Sequence, residues 1–435
     1  MYHSVRPHVP NTQTQRPHRP SADAFRKAGW LPKNKAVYDA YLKKLHRRAQ
    51  LGIDGALLPP VQAFKDFVER EPTIYGEFIR MFDDVDTSEP DTPKDYQDLI
   101  GMLNVIFREA PAFGDLGPPV YMVMAQVMNS EGGFSAFTKQ NLNDHFKRMF
   151  ETYTLFLASI DSRTTLNAGA DGWLSTAAQD AMMAEYDGRT FDQVFICDPN
   201  ADYYGFTSYE DFFNRRFRDP GTDRPTGPLN NNIIGAPCEC TSYAYQEDLK
   251  EMDELYIKDE AYSLRHLLAD NFVDVFVGGK AIQGFLNTTG YHRWHSPVNG
   301  TIVKIVNVPG TYFAQGPYTI GLPTDDPDVL PPYLQSLQYF ANTAARQLMF
   351  IQADDSTIGL MCFISIGMTE ISTCEATVYE GQHVERGDQT GMFHFGGSSC
   401  ALVFRKESQV EIDGTFQVPN VALKINEPIG AVPVS

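Results

Sequence analysis

Basic side chains are scarce in this sequence relative to acidic ones. Its 435 residues include 36 Lys and Arg against 55 Asp and Glu, which gives a formal net charge of −19 at pH 7. A surface this negative repels nucleic-acid phosphates and anionic lipid headgroups. No stretch approaches the roughly 18 consecutive apolar residues that a membrane-spanning helix requires. We therefore expect a protein that binds neither nucleic acid nor membranes.

Cysteine is also scarce, and the N-terminal residues lack the pattern of a signal peptide. Six cysteines in a chain of this length are too few for a disulfide framework, which indicates a reducing compartment. Residues 1–20 are rich in proline and arginine and contain no apolar segment that could direct secretion. Both absences lead us to expect a cytoplasmic location.

Apolar residues make up 43% of the chain, enough for large cores, and their spacing changes along it. Residues 1–22 have almost no aromatic or branched apolar residues, which predicts a disordered tail. Residues 23–195 form the predicted helical domain, because apolar residues between Phe146 and Leu157 recur at steps of three and four. The Pro118–Pro119 pair predicts the start of another helix.

Residues 196–435 form the predicted catalytic domain, in which the pattern becomes strand-like after about residue 230. Short runs rich in β-branched and aromatic residues alternate there with Gly, Pro and Asp turns, which is typical of antiparallel sheet. The predicted strands are 301–308, 348–354, 357–367, 373–379, 390–396, 401–406 and 421–425. The expected fold class is α+β, with a helical N-terminal part followed by a mostly antiparallel β part.

Three short clusters carry residues that could perform chemistry. They are a Gly-Gly-Ser-Ser run, a segment with two histidines three apart, and a glutamate between two thiols, at Gly396–Ser399, Tyr291–Gly300 (His292 and His295) and Ala236–Cys240 (Glu239). Glycine tolerates strained backbone, so the adjacent Ser398 could attack a substrate or its own preceding carbonyl. Ser398, His295 and Glu239 would supply a nucleophile, a base and a carboxylate that orients the base.

Each cluster also has a plain structural explanation. Most Gly-Gly-Ser-Ser runs are tight turns, and the G-x-S-x-G signature of α/β-hydrolases is absent. Pro297 favours strand and turn at the two histidines over a metal-binding helix face, and the two cysteines of the third cluster are spaced too closely for a zinc motif. We therefore predict no metal site. His383 and His394, on predicted strands, are interpreted as structural or surface residues.

Taken together, the clusters resemble motifs of the pyruvoyl-dependent phosphatidylserine decarboxylase family. That family carries a D-Y-H-R-x-H-x-P-x-x-G segment, a V-x-(K/R)-G-(D/E)-x-x-G-x-F segment leading into an L/G-G-S-T/S cleavage site, and an F-F-x-R-x-(F/L) segment followed by Arg-Pro. The similar segments here are Tyr291–Gly300, 383–393 followed by Gly397 and Ser398, and 211–217 followed by Arg224 and Pro225. Order and spacing agree across residues 205–405.

The resemblance is greater still to the soluble branch of that family, the fungal L-tryptophan decarboxylases of psilocybin biosynthesis. Segments such as GDLGPPVYM, SYEDFFNRRFRD, YHRWHSPVNGTIVKI and GMFHFGGSS are similar to that branch over nearly the whole chain from about residue 22. The resemblance implies a carboxy-lyase whose substrate is an aromatic L-amino acid, with L-tryptophan converted into tryptamine and CO₂.

The family makes its own cofactor, and the resemblance implies the same chemistry here. His295, held by Glu239, would deprotonate Ser398, whose oxygen attacks the Gly397 carbonyl. Cleavage between these two residues would leave a pyruvoyl group, in place of pyridoxal phosphate, at the start of the 38-residue fragment 398–435. The two fragments would remain together as a non-covalent complex.

The resemblance also implies a role for the second histidine, and it has two departures. His292 would donate a proton to the substrate carbon after CO₂ leaves. Glu239 occupies the place of a family aspartate and is one methylene longer. Gly290 replaces the aspartate that precedes Tyr-His-Arg in the lipid enzymes, which is consistent with a changed substrate.

Three other functions stay open at the level of sequence. The first is phosphatidylserine decarboxylation to phosphatidylethanolamine, although a net charge of −19 suits an anionic membrane poorly. The second is an uncleaved serine hydrolase that uses Ser398, His295 and Glu239. The third is a processed but inactive binding protein.

Overall fold

The computed structural model describes residues 21–52, 55–85, 92–114, 116–227, 230–253, 262–322, 330–370, 373–395 and 399–433. The predicted cleavage site at Gly397 and Ser398 lies outside the described residues, as does most of the predicted tail. The first helix begins at Ala22, and the Ser21 side chain caps it by accepting a hydrogen bond from the Ala24 amide.

The N-terminal part is helical, as predicted. Its helices are α1 (Ala22–Lys27), α2 (Lys35–Leu51), α3 (Pro59–Arg70), α4 (Pro72–Asp83), α5 (Tyr96–Ile106), α6 (Pro119–Met128), α7 (Glu131–Phe137), α8 (Gln140–Leu157), α9 (Thr176–Met183), α10 (Phe191–Val194), α11 (Tyr209–Phe213) and α12 (Pro220–Asp223). Short helices also lie between the later strands, namely α13 (Leu264–Leu267), α14 (Val273–Phe276) and α15 (Leu337–Thr343).

Two of these helices follow directly from the sequence pattern. Helix α8 buries one face, and its buried aromatic and aliphatic side chains are Leu142, Phe146, Met149, Phe150, Tyr153 and Leu157. Helix α6 has Pro118 as its N-terminal flanking residue and Pro119 as its first residue, where proline is best tolerated. Both predictions are confirmed.

The C-terminal part is mostly strand, and its sheets are antiparallel. The strands are β1 (Ile233–Gly235), β2 (Cys240–Glu247), β3 (Lys280–Phe285), β4 (Arg293–His295), β5 (Gly300–Val308), β6 (Arg346–Ala353), β7 (Leu360–Ile366), β8 (Cys374–Ala376), β9 (His383–Val384), β10 (Gln389–Phe393), β11 (Ser399–Phe404), β12 (Glu411–Ile412), β13 (Ala422–Leu423) and β14 (Pro428–Ala431). Every strand predicted from the sequence is present, and the α+β class is confirmed.

One large sheet forms the centre of the C-terminal part, and two small sheets accompany it. The large sheet has the strand order β13-β2-β3-β11-β7-β6-β5-β9. The small sheets have the orders β4-β10-β8 and β1-β14-β12. Strand β11, which begins directly after the predicted cleavage site, therefore lies between β3 and β7 in the interior of the large sheet.

Alternate side chains of β11 enter two different hydrophobic cores. Ala401 and Val403 belong to the core that the sheet shares with the N-terminal helices. Cys400, Leu402 and Phe404 belong to a second core, which includes residues of the two small sheets. The period of two along the strand produces this division, so the large sheet separates the helical layer from the small sheets.

The helical part and the large sheet form a continuous core. Phe25 of α1 stacks on Phe285 at the end of β3, with ring centroids 4.3 Å apart. The Trp30 indole also donates a hydrogen bond to the Leu286 carbonyl at 2.9 Å. The division between domains at residue 195 stays a prediction. Within the described ranges, none of the helices is long and apolar enough to span a membrane.

Candidate active site

The small sheet β4-β10-β8 places the two-histidine segment beside the strand that leads to the predicted cleavage site. In the antiparallel register of β4 and β10, Trp294 lies opposite Gly391. A side chain at Gly391 would clash, because its Cβ would lie 2.3 Å from the Trp294 ring. Strand β10 ends at Phe393 and β11 begins at Ser399. The predicted scissile bond therefore lies in the short connection between these two strands.

His292 immediately precedes β4 and is completely buried. Its ring stacks on Phe213 of α11, with centroids 4.0 Å apart, and its carbonyl accepts a hydrogen bond from the Phe393 amide at 3.0 Å. Neither ring nitrogen has a hydrogen-bond partner of normal geometry among the described residues. Burial, followed by the charge of Arg215, holds the pKa of His292 well below its ordinary value. The ring is therefore neutral at pH 7.

His295 ends β4, and both of its ring nitrogens are engaged. Its Nδ1 lies 2.7 Å from the Gly387 carbonyl oxygen, and its Nε2 lies 3.0 Å from the Tyr291 hydroxyl. A carbonyl oxygen can only accept, so Nδ1 carries the proton. In the neutral ring Nε2 is consequently the acceptor, and the Tyr291 hydroxyl donates to it.

The surroundings of His295 keep it in this neutral form. Burial lowers the pKa of His295 to about 4, although the Gly387 carbonyl favours the protonated ring. Burial also raises the pKa of Tyr291 above its usual value, so its hydroxyl remains a donor. The Tyr291 ring is fixed by stacking on Phe217, with centroids 4.3 Å apart. A neutral, oriented imidazole is thus present at pH 7.

The carboxylate predicted to orient this base contacts Arg224 and the Ile425 amide, and its catalytic role stays a prediction. Glu239 Oε1 accepts from Arg224 Nε at 2.5 Å, and Oε2 accepts from Arg224 Nη2 at 3.3 Å. Oε1 also accepts from the Ile425 amide at 3.2 Å. The Arg224 side chain is only 6% exposed, and a buried guanidinium needs a carboxylate more than a neutral imidazole does. The Gly387 carbonyl contacts His295 Nδ1.

His394, which the sequence predicts to be a structural or surface residue, bridges two carboxylates. It lies directly after β10, with Nδ1 2.7 Å from Glu210 Oε1 and Nε2 2.7 Å from Glu375 Oε2. Its side chain is 15% exposed. No local sequence pattern indicates this contact, because Glu210 belongs to α11 and Glu375 to β8.

Two polar groups that the sequence analysis did not select lie close to the same connection. The Tyr209 hydroxyl is buried and has no hydrogen-bond partner among the described residues. Its ring centroid is 5.5 Å from that of Phe395, and the buried Asn214 Oδ1 also lacks a partner there. Both belong to the SYEDFFNRR segment, which was noted only for its resemblance to the family. Buried polar atoms without partners are rare in native structures, so both groups are candidates for binding a polar ligand.

The second serine of the Gly-Gly-Ser-Ser run is engaged elsewhere. Ser399 is completely buried, and its hydroxyl accepts a hydrogen bond from Gln283 Nε2 at 3.1 Å. Gln283 Oε1 in turn accepts from the Tyr262 hydroxyl at 2.6 Å. This network fixes Ser399 in the sheet, so Ser398 remains the predicted nucleophile.

Three buried thiols lie on the face of the large sheet that packs against the small sheets. Cys240 and Cys400 have sulfur atoms 4.0 Å apart, and Cys238 is buried near them. Strand β3 separates their strands, so their backbones are about two strand spacings apart, which is too far for a disulfide. In the part of the chain that the structure describes, no three His, Cys, Asp or Glu side chains are arranged to hold a metal ion.

Comparison with known proteins places this arrangement in a family. A model described as phosphatidylserine decarboxylase matches residues 209–430, which include His292, His295 and the predicted cleavage site. A second model with the same description matches residues 58–182 of the helical part. The chain belongs to the phosphatidylserine decarboxylase family.

Individual members of the family support the assignment over most of the chain. An L-tryptophan decarboxylase of Psilocybe cyanescens is 56% identical over 425 residues, which are 95% of this chain and 96% of that protein. An L-tryptophan decarboxylase of Psilocybe cubensis is 54% identical with the same coverage. The phosphatidylserine decarboxylase proenzyme 3 of Schizosaccharomyces pombe is 29% identical over 201 residues, 46% of this chain and 19% of that protein.

These findings confirm two predictions. The chain is a member of the family that its motifs resemble, and it is a carboxy-lyase. The similarity to the Psilocybe enzymes includes the helical part, whereas the match to the yeast proenzyme covers less than half of the chain.

Proposed function

We propose that this enzyme decarboxylates an aromatic L-amino acid, converting L-tryptophan into tryptamine and CO₂, after cleaving itself between Gly397 and Ser398. The substrate follows from relatives that are 54–56% identical over nearly their whole length. The observation that carries the mechanism is the pair of neutral, buried histidines at the two ends of β4, His292 and His295. His292 precedes Arg293, which pairs with Met392 near the end of β10 that leads to the proposed cleavage site, and His295 pairs with Gln389 at the other end of β10.

The residues around the connection suit a pyruvoyl group at position 398. His292 has two ring nitrogens without hydrogen-bond partners among the described residues, and the Tyr209 hydroxyl is equally unpaired. Such groups could hold the carbonyl oxygens of the cofactor or the carboxylate of the substrate. The chemistry that a pyruvoyl group supplies is an electron-accepting carbonyl next to the substrate amine.

In the proposed self-cleavage His295 acts as the base. Its Nε2 is unprotonated, and its pKa of about 4 keeps it so at neutral pH. The Tyr291 hydroxyl already donates to Nε2. The Ser398 proton therefore reaches His295 either by relay through the Tyr291 hydroxyl or directly, after the hydroxyl has rotated away from Nε2. The Gly387 carbonyl stabilises the resulting imidazolium through Nδ1–H.

The bond changes of the self-cleavage balance without an added oxidant or reductant. The Ser398 oxygen attacks the Gly397 carbonyl carbon, and the amide becomes an ester. Removal of the Ser398 Cα proton expels the Gly397 carboxylate and leaves dehydroalanine. Water then replaces its nitrogen as a carbonyl oxygen, and ammonia is released. These steps break the chain and leave a ketone on the second fragment.

His292 is proposed as the proton donor in the decarboxylation. Its ring is neutral in the unliganded site, where burial disfavours the charged form. A substrate carboxylate beside the ring would raise its pKa, because an opposite charge stabilises the imidazolium. The substrate would thus bring the proton donor into its active form, and departure of CO₂ would favour transfer of that proton to carbon.

The surroundings of Phe395 support an aromatic substrate. Phe395 lies two residues before Gly397, and its ring meets Tyr153 at 6.1 Å, Tyr209 at 5.5 Å and Phe213 at 5.6 Å between centroids. Tyr153 belongs to α8, so the helical part contributes to this aromatic cluster. Aromatic walls with a few polar groups are typical of sites for ring-bearing ligands.

The second fragment of the proposed cleavage contains structural elements that would keep it bound. Fragment 398–435 includes β11, which pairs with β3 on one side and β7 on the other. It also includes β13, paired with β2, and β14, paired with β1. All of these partners lie in the first fragment. Hydrogen bonding and burial along an interior strand would hold the two fragments together as a non-covalent complex.

A substrate panel distinguishes this proposal from phosphatidylserine decarboxylation, the activity for which other family members are named. The purified enzyme would be incubated with L-tryptophan, L-tyrosine, L-phenylalanine and phosphatidylserine vesicles, and CO₂ release would be measured. We expect turnover of L-tryptophan and none of the vesicles. Turnover of the vesicles alone would contradict the proposed substrate.

Denaturing electrophoresis with two serine variants distinguishes the proposed self-cleaving decarboxylase from an uncleaved serine hydrolase. The Ser398→Ala variant should run as one full-length chain and release no CO₂. The matched variant Ser399→Ala changes the neighbouring serine, whose hydroxyl is held by Gln283, and should still be cleaved. An active wild-type enzyme with a single full-length band would overturn the proposed self-cleavage.

A further inference from the structure

The bridge formed by Glu210, His394 and Glu375 lies directly before the proposed cleavage site and has no part in the mechanism above. His394 Nδ1 lies 2.7 Å from Glu210 Oε1, and His394 Nε2 lies 2.7 Å from Glu375 Oε2. The bridge joins α11 to β8 through the residue that follows β10. Glu210 and His394 are nearly buried, with side chains 11% and 15% exposed, whereas the Glu375 side chain is 51% exposed.

The geometry requires a doubly protonated imidazole when both carboxylates are ionised. An ionised carboxylate only accepts hydrogen bonds, so each ring nitrogen of His394 must donate. A neutral ring has a single N–H and could satisfy only one of the two contacts. Charge-assisted hydrogen bonds of this kind are roughly twice as strong as neutral ones. The two 2.7 Å contacts therefore describe an imidazolium held between two anions.

The charges that face the bridge agree with this protonation state. Burial by itself would lower the pKa of His394, but the hydrogen bonds and charges of Glu210 and Glu375 raise it above the ordinary value. The charged group of β4 that acts on Glu210 is Arg293, whose guanidinium bonds to the Asn214 carbonyl and to Gln389.

The same bridge fixes the backbone that leads into the proposed scissile bond. Glu210 Oε2 accepts from the Phe395 amide at 3.4 Å, and Glu210 Oε1 accepts from Asn214 Nδ2 at 2.5 Å. Asn214 Nδ2 also donates to the Phe393 carbonyl at 3.1 Å. The His394 amide donates to the Thr373 carbonyl at 3.0 Å. Hydrogen bonds thus hold the backbone of residues 393 and 395 on either side of His394, and residue 395 lies two residues before Gly397.

We propose that His394, as an imidazolium between Glu210 and Glu375, is a positioning residue that holds residues 393–395 in place for self-cleavage at the Gly397–Ser398 bond. The inference rests on the proposed self-cleavage. Serinolysis needs the attacking oxygen close to one carbonyl carbon, and a displacement of about 1 Å can slow such a step by about a hundredfold. His394 acts through the backbone and touches neither reacting atom in this proposal.

The test follows the appearance of the two fragments from freshly synthesised full-length chain. Cell-free synthesis would be stopped, the pH adjusted between 5 and 9.5, and cleavage timed by denaturing electrophoresis. The His394→Gln variant should cleave at least about tenfold more slowly than the wild type near pH 7, because it loses one charge-assisted contact. The His394→Lys variant retains a cation and should cleave within about threefold of the wild type.

The pH dependence provides a readout that a merely structural role would not produce. The wild-type rate should fall at alkaline pH as His394 loses its second proton, and the His394→Lys variant should not show this fall below pH 9. The Glu375→Gln variant removes a half-exposed carboxylate without threatening the fold. It should move the alkaline fall to lower pH by about half a unit to one unit, because His394⁺ loses one anion.

A matched control and two opposing outcomes complete the design. His383 lies on β9 and contacts a single carboxylate, Asp354, from a side chain that is 53% exposed, so His383→Gln should cleave like the wild type at every pH. Wild-type cleavage rates in His394→Gln, or an unmoved alkaline fall in Glu375→Gln, would overturn this inference and leave the proposed function intact. A wild-type chain that never cleaves would overturn both.

Discussion

The histidines at two neighbouring strands of the small sheet differ in charge state. On β4 and just before it, His295 and His292 are buried without a carboxylate partner, and the pKa of each is lowered. After β10, His394 lies between two carboxylates, and its pKa is raised. Histidine is therefore a neutral base at β4 and a cation just after β10.

Hydrogen-bond and charge partners, more than burial alone, decide what each histidine can do. All three histidine side chains are largely buried, and burial disfavours the imidazolium in each case. Only His394 receives carboxylates that outweigh this penalty. Glu239, the carboxylate expected beside His295, is bound to Arg224, and this leaves His295 neutral and available as a base.

The largest expected effect comes from removing the neutral base. In the His295→Ala variant we expect self-cleavage to slow by about 10²–10⁴-fold, because the Ser398 proton loses its acceptor. Timed electrophoresis of freshly synthesised chain measures this. The His383→Gln variant serves as the control for loss of an unrelated histidine. Cleavage of His295→Ala at the wild-type rate would remove His295 from the mechanism.

The second neutral histidine should affect the other reaction. In the His292→Gln variant, we expect the two fragments to form but CO₂ release from L-tryptophan to fall by about 10²-fold, because the substrate carbon loses its proton donor. The kcat of the cleaved variant and the fraction cleaved would be measured on the same sample. Equal loss of both reactions would contradict the division of roles between the two residues.

The pH profile of self-cleavage tests the charge state of His295 itself. A base with a pKa of about 4 is unprotonated above that value, so the rate should stay flat from pH 7 down to about 5. Below pH 4 it should fall by about tenfold for each pH unit. A fall that begins near the ordinary histidine value of about 6.5 would show that burial does not set this pKa.

A smaller effect is expected from the hydroxyl that donates to His295. In the Tyr291→Phe variant the ring still stacks on Phe217, and the Gly387 carbonyl still holds Nδ1. Only the hydrogen bond to Nε2 is lost, so self-cleavage should slow by about fivefold to tenfold. A loss as large as that of His295→Ala would mean that the phenol carries the proton in an obligatory relay.

The smallest effect on cleavage is expected at Glu239, the carboxylate that the sequence assigns to His295 and that pairs with Arg224. Glu239→Gln keeps a side chain that can accept from Arg224 and from the Ile425 amide, but it leaves the buried guanidinium without a counter-charge. We expect cleavage within about threefold of the wild type and a loss of stability of about 1–3 kcal/mol, measured by chemical unfolding. A cleavage defect greater than a hundredfold without a stability change would establish Glu239 as the orienter of His295.

The sequence carried enough information for the fold class and for the selection of His292 and His295 as candidate site residues. The spacing of apolar residues in α8 and the runs that became β5, β6, β7 and β11 reflect local periods that burial imposes. His292 and His295 were found because they share one short segment with recognisable motifs.

The contacts that set the charge states could not be found in the same way. Arg224 is 15 residues from Glu239, and Glu210 is 184 residues from His394, so neither pairing leaves a local pattern. The assignment of Glu239 to His295 matched two groups by their chemistry, and no local pattern indicates that a buried arginine contacts Glu239. Tyr209 was overlooked because an unpaired hydroxyl has no signature in sequence.

Intact mass spectrometry of the purified, active enzyme distinguishes a self-cleaved chain from an uncleaved one. We predict two components, residues 1–397 and the fragment 398–435. The smaller component should be lighter than the serine-initiated peptide by the mass of one ammonia molecule, because a pyruvoyl group has replaced Ser398. A single component with the mass of the uncleaved chain, in a sample that releases CO₂ from L-tryptophan, would contradict it.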